Sequence, residues 1–326
     1  MVELAPLFAA KPLKMHRIFI DGQAGTTGLQ IHERLSVRTD IELIEIDPAE
    51  RKNPAAKQSI IDQADVVVLC LPDDAAMETV RNTKSSHTRF IDASTAHRVN
   101  PDWTYGMPEL MPDQREAIAS ARLVSNPGCY PTGFLAAVKP LISAGVLSHD
   151  ALISISAISG YSGGGRQLIE KYEAAGVRWP ARPYSLPLKH KHVPEMTQYA
   201  GLSTSPLFMP TVGHFYNGML VSVPVHRDQL VKTNAIEDVH QLITERYDAE
   251  PCINVLALNN DSELQDGFLD PEAANGTNRV DLFVYGHDDQ MLLIARLDNL
   301  GKGAAGAAVQ NLNLMLQVTE LEGLSL

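Results

Sequence analysis

Cysteine, membrane-length hydrophobic runs and excess positive charge are all lacking in this sequence. Only three cysteines occur, without a CxxC pair, which excludes a disulfide framework and a cysteine-based zinc motif and fits a reducing cytoplasm. No apolar run is long enough to cross a bilayer, so no membrane partner is expected. The formal net charge of -12 argues against nucleic acid as a partner, because binding it requires clustered basic surface.

What remains is the composition of an ordinary globular protein. The chain has 326 residues, 44% of them hydrophobic and 20% charged, which is long enough for about two domains. Residues 1–14 include a short apolar patch but carry Glu3 and lack a basic leading region, which argues against a secretory signal. We interpret these fourteen residues as an extension or a disordered leader.

A glycine-rich turn follows the first predicted strand, residues 17–20. Its sequence, DGQAGTTGLQIHERL, places glycines at 22, 25 and 28 between a strand and a helix, as a dinucleotide-binding turn requires. Gly22 would allow the tight turn, Gly25 the approach of a pyrophosphate to backbone N–H groups, and Gly28 close packing of the helix. A plain strand-to-helix turn without a ligand is the alternative.

The end of the next predicted strand, residues 42–46, bears on the choice of nicotinamide cofactor. Asp47 could hydrogen-bond a ribose hydroxyl, which would favour NAD. Arg51 and Lys52 could instead pair with a 2'-phosphate, which would favour NADP. A solvated loop is the alternative for all three residues.

Strands and helices continue to alternate, which predicts a parallel sheet covered on both faces. The expected helices lie near residues 55–63 and 74–83, and the expected strands at 65–71 and 89–91. Ligands bind such sheets beyond the carboxyl ends of the strands, so the turns at 71–74 and 92–95 should face the cofactor.

Arg98 follows the second of these turns. Its rigid guanidinium fork suits a phosphate or a carboxylate. The alternative is a surface arginine that pairs with Asp102 or Glu109.

The segment SNPGCYPTG, residues 125–133, places Cys129 where a turn opens into a helix. Unpaired N–H groups and the helix dipole at such a terminus favour the nucleophilic thiolate, and can lower a cysteine pKa toward about 7 or below. Gly128 and Gly133 leave room for a substrate. The alternative is a buried cysteine that serves only packing.

Histidine and glycine dominate the segments that follow a predicted strand at residues 151–157. The sequence ISGYSGGGRQ requires a very tight loop or close contact with a ligand. His190 and His192 share one face if their segment is extended, and one imidazole near Cys129 would suffice as a general acid or base. A zinc site would need more ligands than His214 alone provides, so we expect no metal.

The fold expected for the whole chain is a Rossmann-type α/β dinucleotide-binding domain followed by an α+β catalytic domain with a mostly antiparallel sheet. Strands are expected near the end of residues 208–225 and at 281–285 and 291–297. A helix of small residues after residue 298 should return to the first domain. The cofactor domain would then comprise residues 15–130 and about 303–326, and the catalytic and oligomerisation domain residues 131–302.

Taken together, the motifs resemble those of N-acetyl-gamma-glutamyl-phosphate reductase of arginine biosynthesis, and most closely its shorter class. The motifs are GQAGTTG, YGMPEL, SNPGCYPTG, ISGYSGGGR, KHKHVPEM, GHFYNGM and LDNLGKGAAGAAVQNLN, which extend from about residue 16 to 316. The wider superfamily includes aspartate-semialdehyde dehydrogenase. The sequence GHF, in place of the PHL of longer relatives, leaves the role of His214 open.

The resemblance implies a cytoplasmic enzyme that acts on a small acyl phosphate with NADPH. Cys129 would attack N-acetyl-L-glutamyl 5-phosphate, expel phosphate and form a thioester, which NADPH would reduce to the semialdehyde. His190 would assist Cys129 as base or acid, and His192 would hold the substrate or exchange that role. Arg98 would bind the phosphate or carboxylate. Ser159 and Gly160 would line the nicotinamide and acyl site.

The same resemblance favours NADP over NAD and implies a homodimer or a homotetramer. The cofactor-binding residues would be Gly22, Gly25, Thr26, Thr27, Gly28, Arg51, Lys52 and Pro72. Three alternatives from other classes remain at this stage: an aspartate-semialdehyde dehydrogenase, a noncatalytic NADP-binding redox sensor, and a cysteine hydrolase that needs no nicotinamide.

Overall fold

The structure is a computed structural model that describes residues 15–51, 53–174, 176, 178–232 and 235–326. The expected leader and the proposed cofactor residue Lys52 lie outside the described residues. Within those ranges, no helix is both long and apolar enough to cross a membrane.

Residues 16–92 alternate strands with helices, as predicted, and two further strands and one helix that were not predicted follow within residues 104–125. The elements of this first part of the chain are β1 (His16–Asp21), α1 (Thr26–Ser36), β2 (Ile41–Ile44), α2 (Pro54–Ile61), β3 (Val66–Leu69), α3 (Asp73–Asn82), β4 (Arg89–Asp92), β5 (Thr104–Tyr105), α4 (Gln114–Ser120) and β6 (Leu123–Ser125). The strands form a parallel sheet in the order β2-β1-β3-β4-β6-β5.

Both faces of this sheet are buried, which explains why its strands are continuously apolar. Successive side chains of a strand point to opposite faces. Accordingly, Val66 and Val68 join one hydrophobic cluster, while Val67 and Leu69 of the same strand join a second. The two clusters lie on opposite faces of the sheet and fix the carboxyl ends of the strands along one edge.

The second part of the chain is built on a seven-stranded sheet. Its elements are α5 (Cys129–Ser143), β7 (Ser154–Ser159), α6 (Arg166–Glu173), β8 (Arg182–Pro183), α7 (Val193–Ala200), β9 (Leu207–Val212), β10 (Met219–His226), α8 (Ile236–Tyr247), β11 (Ile253–Val255), β12 (Leu264–Gln265), β13 (Phe268–Leu269), β14 (Val280–His287) and β15 (Gln290–Leu297).

This second sheet is mixed, so the expectation of a mostly antiparallel sheet is only partly confirmed. The order is β11-β14-β15-β10-β7-β9-β8, and β12 pairs with β13 alone. Among the described strands of the large sheet, the pairs β11–β14 and β7–β9 are parallel and the other four are antiparallel. The parallel β7–β9 pair matters for the site because it brings the carboxyl ends of two strands to the same edge.

Helix α5 lies in the centre of the second core. Nearly all of its residues are buried, and it packs against β10, β14 and β15 and against α7 and α8. On β10, Val221 and Val223 face this core, whereas Leu220 and Ser222 face the opposite side of the sheet. The helix that begins with Cys129 is therefore held rigidly from several sides.

The chain finally returns to the first sheet. A π-helical turn, Gly301–Ala305, runs directly into α9 (Gly306–Leu316). Ala305, Ala308, Val309 and Leu312 belong to the same hydrophobic cluster as the strands β1, β3 and β4. Small residues permit this close approach, so the end of the chain completes a core that its beginning started.

Candidate active site

Cys129 is the first residue of α5, and the turn before it is fixed at both ends. The backbone N–H of Asn126 donates to Asp92 O at 2.8 Å, which ties the turn to the carboxyl end of β4. The Asn126 side chain donates to Ala304 O at 3.0 Å and accepts from Asn311 at 3.1 Å. The position of Cys129 is thus set jointly by the first sheet and by the returning end of the chain.

Cys129 as a residue is partly exposed to the cleft, while its thiol is largely desolvated. Desolvation raises its pKa to about 11, although the charge of Arg98 and the backbone N–H groups at the start of α5 act in the opposite direction. Our expectation of a pKa near or below 7 was therefore wrong in direction, because desolvation outweighs the helix terminus. The thiol carries its proton at neutral pH and requires a base to become a nucleophile.

His190 is held in one tautomer by the backbone. Its Nδ1 accepts the N–H of His192 at 3.1 Å, so in the neutral ring the proton resides on Nε2. That Nε2 lies 3.3 Å from the hydroxyl of Tyr184, which in turn donates to the hydroxyl of Tyr130 at 3.3 Å. His190 therefore presents a hydrogen-bond donor to this group of side chains.

Both histidines are neutral near pH 7. Desolvation, followed by the charges of Lys191 and Arg98, lowers the pKa of His190 to about 4. Desolvation and the charge of Arg98 hold the pKa of His192 well below its usual range. The two rings meet edge to face with centroids 4.7 Å apart. Neutral imidazoles can accept a proton, so either ring remains eligible to serve Cys129.

Arg98 is buried, with 8% of its surface exposed, and is not the surface residue that our alternative described. It pairs with neither Asp102 nor Glu109. Its Nη1 donates to Glu195 Oε1 at 3.2 Å, and its Nη2 to Ala93 O at 3.3 Å. The guanidinium lines the same cleft as Cys129 and contributes a positive charge there.

Glu195, in the first turn of α7, connects several of these groups. Its Oε2 accepts the hydroxyl of Tyr105 and the backbone N–H of Gly128, both at 2.9 Å, while Oε1 accepts from Arg98. A Cβ at Gly128 would lie 2.6 Å from Arg98 Nη1 and 2.8 Å from His192 Nε2. Only glycine leaves the space for these side chains immediately before Cys129.

A cleft of about 580 Å³ opens beside Cys129. Eight residues predicted for the site line it, namely Thr26, Thr27, Arg98, Cys129, Ser159, Gly160, His190 and His192. The start of α1, the start of α5 and the ends of β7 and β9 all contribute to its walls. The structure thus brings predicted catalytic, substrate and cofactor residues to one continuous cavity.

The glycine-rich loop after β7 forms one wall of this cleft. Gly160 is required there, since a Cβ would lie 2.2 Å from Tyr216 O. Ser162 donates to Asn217 Oδ1 at 2.7 Å and accepts from Asn299 Nδ2 at 2.8 Å. The loop is therefore anchored by side chains rather than free, and its glycines allow a close approach to whatever the cleft binds.

The predicted dinucleotide turn has the geometry that such a ligand needs. Gly22 adopts φ +96°, and a Cβ there would lie 2.2 Å from Cys70 O. A Cβ at Gly28 would lie 2.5 Å from Gly22 O, so both positions demand glycine. Helix α1 begins after Gly25 without a side-chain cap, which leaves N–H groups available to a phosphate. The residues present fit a dinucleotide.

A second cleft, of about 240 Å³, adjoins this turn and is lined by Gly22 and Arg51. Asp47 accepts the N–H of Ala49 at 2.8 Å and so serves its own turn. Gly25 and Gly28 shape the start of α1, and Pro72 precedes α3, but these three do not line either cleft.

Several residues of the site were missed by sequence reasoning. Asn126 lies in the motif SNPGCYPTG, Glu195 in KHKHVPEM and Asn299 in LDNLGKGAAGAAVQNLN, but none of the three was predicted as a site residue. Glu195 follows His192 by three positions, which on a helix places the two side chains on one face. Tyr184 and Arg182 stand in a proline-rich segment whose conformation no periodicity predicts.

His214 is exposed and lies beside Tyr161 and Tyr172, with ring centroids 6.3 and 5.8 Å away. It does not line the cleft of Cys129. In the described ranges, no group of three or more potential metal ligands is present.

Two family models match the chain. The model described as "Semialdehyde dehydrogenase, NAD binding domain" matches residues 11–120, and "Semialdehyde dehydrogenase, dimerisation domain" matches residues 129–299. The boundary between the two matches falls immediately before Cys129.

Among curated relatives, the chain is 51% identical over 318 residues to N-acetyl-gamma-glutamyl-phosphate reductase 2 of Nostoc sp., covering 94% of this chain and 99% of that protein. It is 48% identical over 307 residues to N-acetyl-gamma-glutamyl-phosphate reductase of Brucella ovis, covering 92% and 98%.

Solved structures are similar in fold. Aspartate semialdehyde dehydrogenase from Francisella tularensis gives a TM-score of 0.70 at 14% identity, over 93% of this chain and 100% of that one. Aspartate semialdehyde dehydrogenase II complexed with ASA from Vibrio cholerae gives 0.68 at 15% identity, over 93% and 99%. At this identity the likeness concerns the fold alone.

Proposed function

Since this chain belongs to the N-acetyl-gamma-glutamyl-phosphate reductases, within the semialdehyde dehydrogenase family, we propose that it forms N-acetyl-L-glutamate 5-semialdehyde and phosphate from N-acetyl-L-glutamyl 5-phosphate. The reaction uses NADPH and is a step of arginine biosynthesis. The observation that carries this proposal is Cys129, at the start of α5, opening into the cleft that the cofactor turn, Arg98 and both histidines share.

Cys129 is the proposed nucleophile. Its sulfur bonds to the acyl carbon, the bond from that carbon to the phosphate oxygen breaks, and phosphate leaves with the electron pair, so that a thioester remains. NADPH, when bound, supplies the hydride that reduces the acyl carbon. The carbon–sulfur bond then breaks, which releases the semialdehyde and regenerates the sulfur of Cys129. Backbone N–H groups at the start of α5 are suited to stabilise the negative acyl oxygen.

The two histidines have different roles in this proposal. Because the neutral ring of His190 carries its proton on Nε2, we assign it as a hydrogen-bond donor that stabilises the acyl oxygen without giving up that proton. His192, whose Nε2 lies against Gly128, is the base available for the thiol proton. His192 thus takes over the role of base that was expected first for His190, which is one of the two alternatives that the resemblance implied.

The remaining contacts of the substrate follow from charge. Arg98 binds the leaving phosphate, and its partner Glu195 keeps the guanidinium in place before the substrate arrives. Ser159 and Gly160 line the acyl and nicotinamide site.

NADP is held at the glycine-rich turn. Gly22, Gly25 and Gly28 shape the turn, while Thr26 and Thr27 begin α1 and face the cleft. Arg51 serves the 2'-phosphate, and Pro72 borders the cofactor as the residue before α3. Lys52 stays a prediction from the sequence.

The chain divides in this proposal into a cofactor domain, residues 15–130 with about 303–326, and a catalytic domain, residues 131–302. The catalytic domain also assembles the protein into a homodimer or homotetramer in the cytoplasm. The match to a dimerisation domain supports this, as does the exposure of two apolar side chains of β9, Leu207 and Met209, on the outer face of the second sheet.

The proposal is tested in the reverse direction, as phosphate-dependent reduction of NADP by N-acetyl-L-glutamate 5-semialdehyde. The protein should be active, and Cys129→Ser should lose more than about 10³-fold in kcat while still binding NADP. Preference for aspartate semialdehyde would indicate the sister enzyme, and NADP binding without turnover a redox sensor. Near-normal turnover by Cys129→Ser would remove the proposed nucleophile.

A further inference from the structure

One wall of the cleft carries aromatic side chains. Tyr172 and Trp179 line the cleft with ring centroids 5.2 Å apart, and Tyr184 lines it next to His190. The guanidinium of Arg182 lies over the ring of Trp179, 4.2 Å from its centroid. An arginine stacked on an aromatic face is held in orientation while its N–H groups remain available.

The cations of the cleft differ in whether a carboxylate of the protein neutralises them. Those among the described lining residues are Arg98, Arg182 and Lys191. The charge of Arg98 is already engaged by Glu195. Arg182 forms no ion pair with any carboxylate in the described part of the chain, and its guanidinium is exposed. It is thus a preoriented cation that no described carboxylate of the protein neutralises.

The sheet places Arg182 at a fixed separation from Ser159, a residue that lines the cleft together with Cys129. Arg182 pairs with Val212, and Val212 pairs with Ser159. Two strand spacings separate Arg182 from Ser159, about 10 Å in all. The proposed substrate carries its α-carboxylate four carbon–carbon bonds from the acyl carbon, about 5 Å when extended. An arginine side chain is long enough to cover the difference.

We infer that Arg182, stacked on Trp179, binds the α-carboxylate of the substrate and makes the enzyme selective for acyl phosphates that carry this group. The inference rests on the proposed function and adds the residue that recognises the far end of the substrate. Two parallel N–H···O bonds from a guanidinium match a carboxylate.

The same wall suits an acylated amine. No aspartate or glutamate is found among the described residues that line the cleft. A free α-ammonium group would therefore be desolvated without a counter-charge, whereas an uncharged amide with a methyl group can pack against Tyr172 and Trp179.

The test compares Arg182→Gln with the unaltered protein on two aldehydes, in the direction that reduces NADP. One is N-acetyl-L-glutamate 5-semialdehyde, and the other is 4-acetamidobutanal, which is the same molecule without the carboxylate. With the first, KM should rise about 10- to 100-fold while kcat stays within about threefold. With the second, kcat/KM should be the same in both proteins. The KM of Arg182→Lys for the first aldehyde should lie between those of the unaltered protein and Arg182→Gln, because lysine restores the charge but not the two parallel N–H groups.

Lys191→Gln provides the matched control, since Lys191 is the other exposed cation of the cleft. It should leave the discrimination between the two aldehydes unchanged. Equal losses on both aldehydes for Arg182→Gln would overturn the inference in favour of a structural role, and a raised KM for phosphate would reassign Arg182 to that anion. If the unaltered protein fails to turn over N-acetyl-L-glutamate 5-semialdehyde, the proposed function itself is wrong. The other outcomes concern only the role of Arg182.

Discussion

Replacing Glu195 with glutamine tests how the site holds a buried arginine beside a thiol. Glu195 is 1% exposed, and its two oxygens have different partners. Oε2 accepts from Tyr105 and from the N–H of Gly128, whereas Oε1 accepts from Arg98. In Glu195→Gln the carbonyl oxygen can keep the Oε2 contacts, but the amide then turns its own N–H groups toward the guanidinium.

The expected loss in the free energy of unfolding follows from the contact between Arg98 and Glu195. Arg98 is 8% exposed, so its charge would be left buried without a counter-ion. Removing one partner of a buried ion pair costs about 3–5 kcal/mol, and we expect a value near 3 kcal/mol because two hydrogen bonds survive. Urea denaturation should show this loss in the free energy of unfolding, with an unchanged m value.

The same substitution should act on Cys129 in a direction that instability alone does not predict. The negative charge of Glu195 raises the pKa of the Cys129 thiol, while the charge of Arg98 lowers it. Removing the carboxylate should therefore lower the thiol pKa, measured as the pH dependence of alkylation by iodoacetamide. Glu250→Gln is the control, since it breaks pairs with Arg115 and Arg246 away from the cleft. A higher or unchanged thiol pKa in Glu195→Gln would refute the reasoning.

Three further expectations concern single positions. Gly28→Ala should weaken NADP binding about tenfold in a calorimetric titration, because the new Cβ would lie 2.5 Å from Gly22 O and displace the turn; unchanged affinity would show that the turn does not hold the cofactor. The pKa of His190 is lowered to about 4, below its value of 6.5 in an unfolded chain, so its contribution to stability is complete above pH 6.5 and is lost as the pH falls toward 4. As the pH falls over this range, the urea midpoint of His190→Gln should fall less than that of the unaltered protein. An equal dependence of the midpoint on pH in the two proteins would count against the lowered pKa. Gly303→Ala should lower kcat while most of the free energy of unfolding is kept, because the new Cβ would lie 2.8 Å from the Cβ of Cys129 and would displace that side chain. A normal kcat would contradict this contact.

The first sheet was predictable because its signals are local. A strand buried on both faces is continuously apolar, and β1, β2 and β3 are each followed by a helix, so the type and order of the elements as far as β4 followed from the sequence. The short strands β5 and β6 and the helix α4 between them were not predicted. The bounds shifted by one or two residues, as for the strand predicted at 65–71 and found at Val66–Leu69. The glycine turn was predictable in geometry too, since only glycine satisfies the contacts of Gly22 and Gly28.

The second sheet was harder because its pairing is not local. Strand β7 was predicted at 151–157 and lies at Ser154–Ser159, because its pairing with β9 and β10 extends to Ser159. Strand β8 contains only Arg182 and Pro183, and a proline-rich segment carries no strand period. Its pairing with β9 could not be inferred from either segment alone.

At the site, the sequence led to residues that line one cleft, but not to their effect on one another. The pKa of Cys129 was expected to fall because a helix terminus is visible in the sequence, whereas desolvation depends on walls contributed by distant segments. The division of roles that we propose for His190 and His192 likewise depends on a single backbone hydrogen bond.

Helix α9 supplies Ala308, Val309 and Leu312 to the core that strands β1, β3 and β4 begin more than two hundred residues earlier. During synthesis, that first core therefore stays incomplete until α9 has left the ribosome. Nascent chains should bury this hydrophobic surface late, and they depend until then on chaperones or on their own second domain for protection from aggregation.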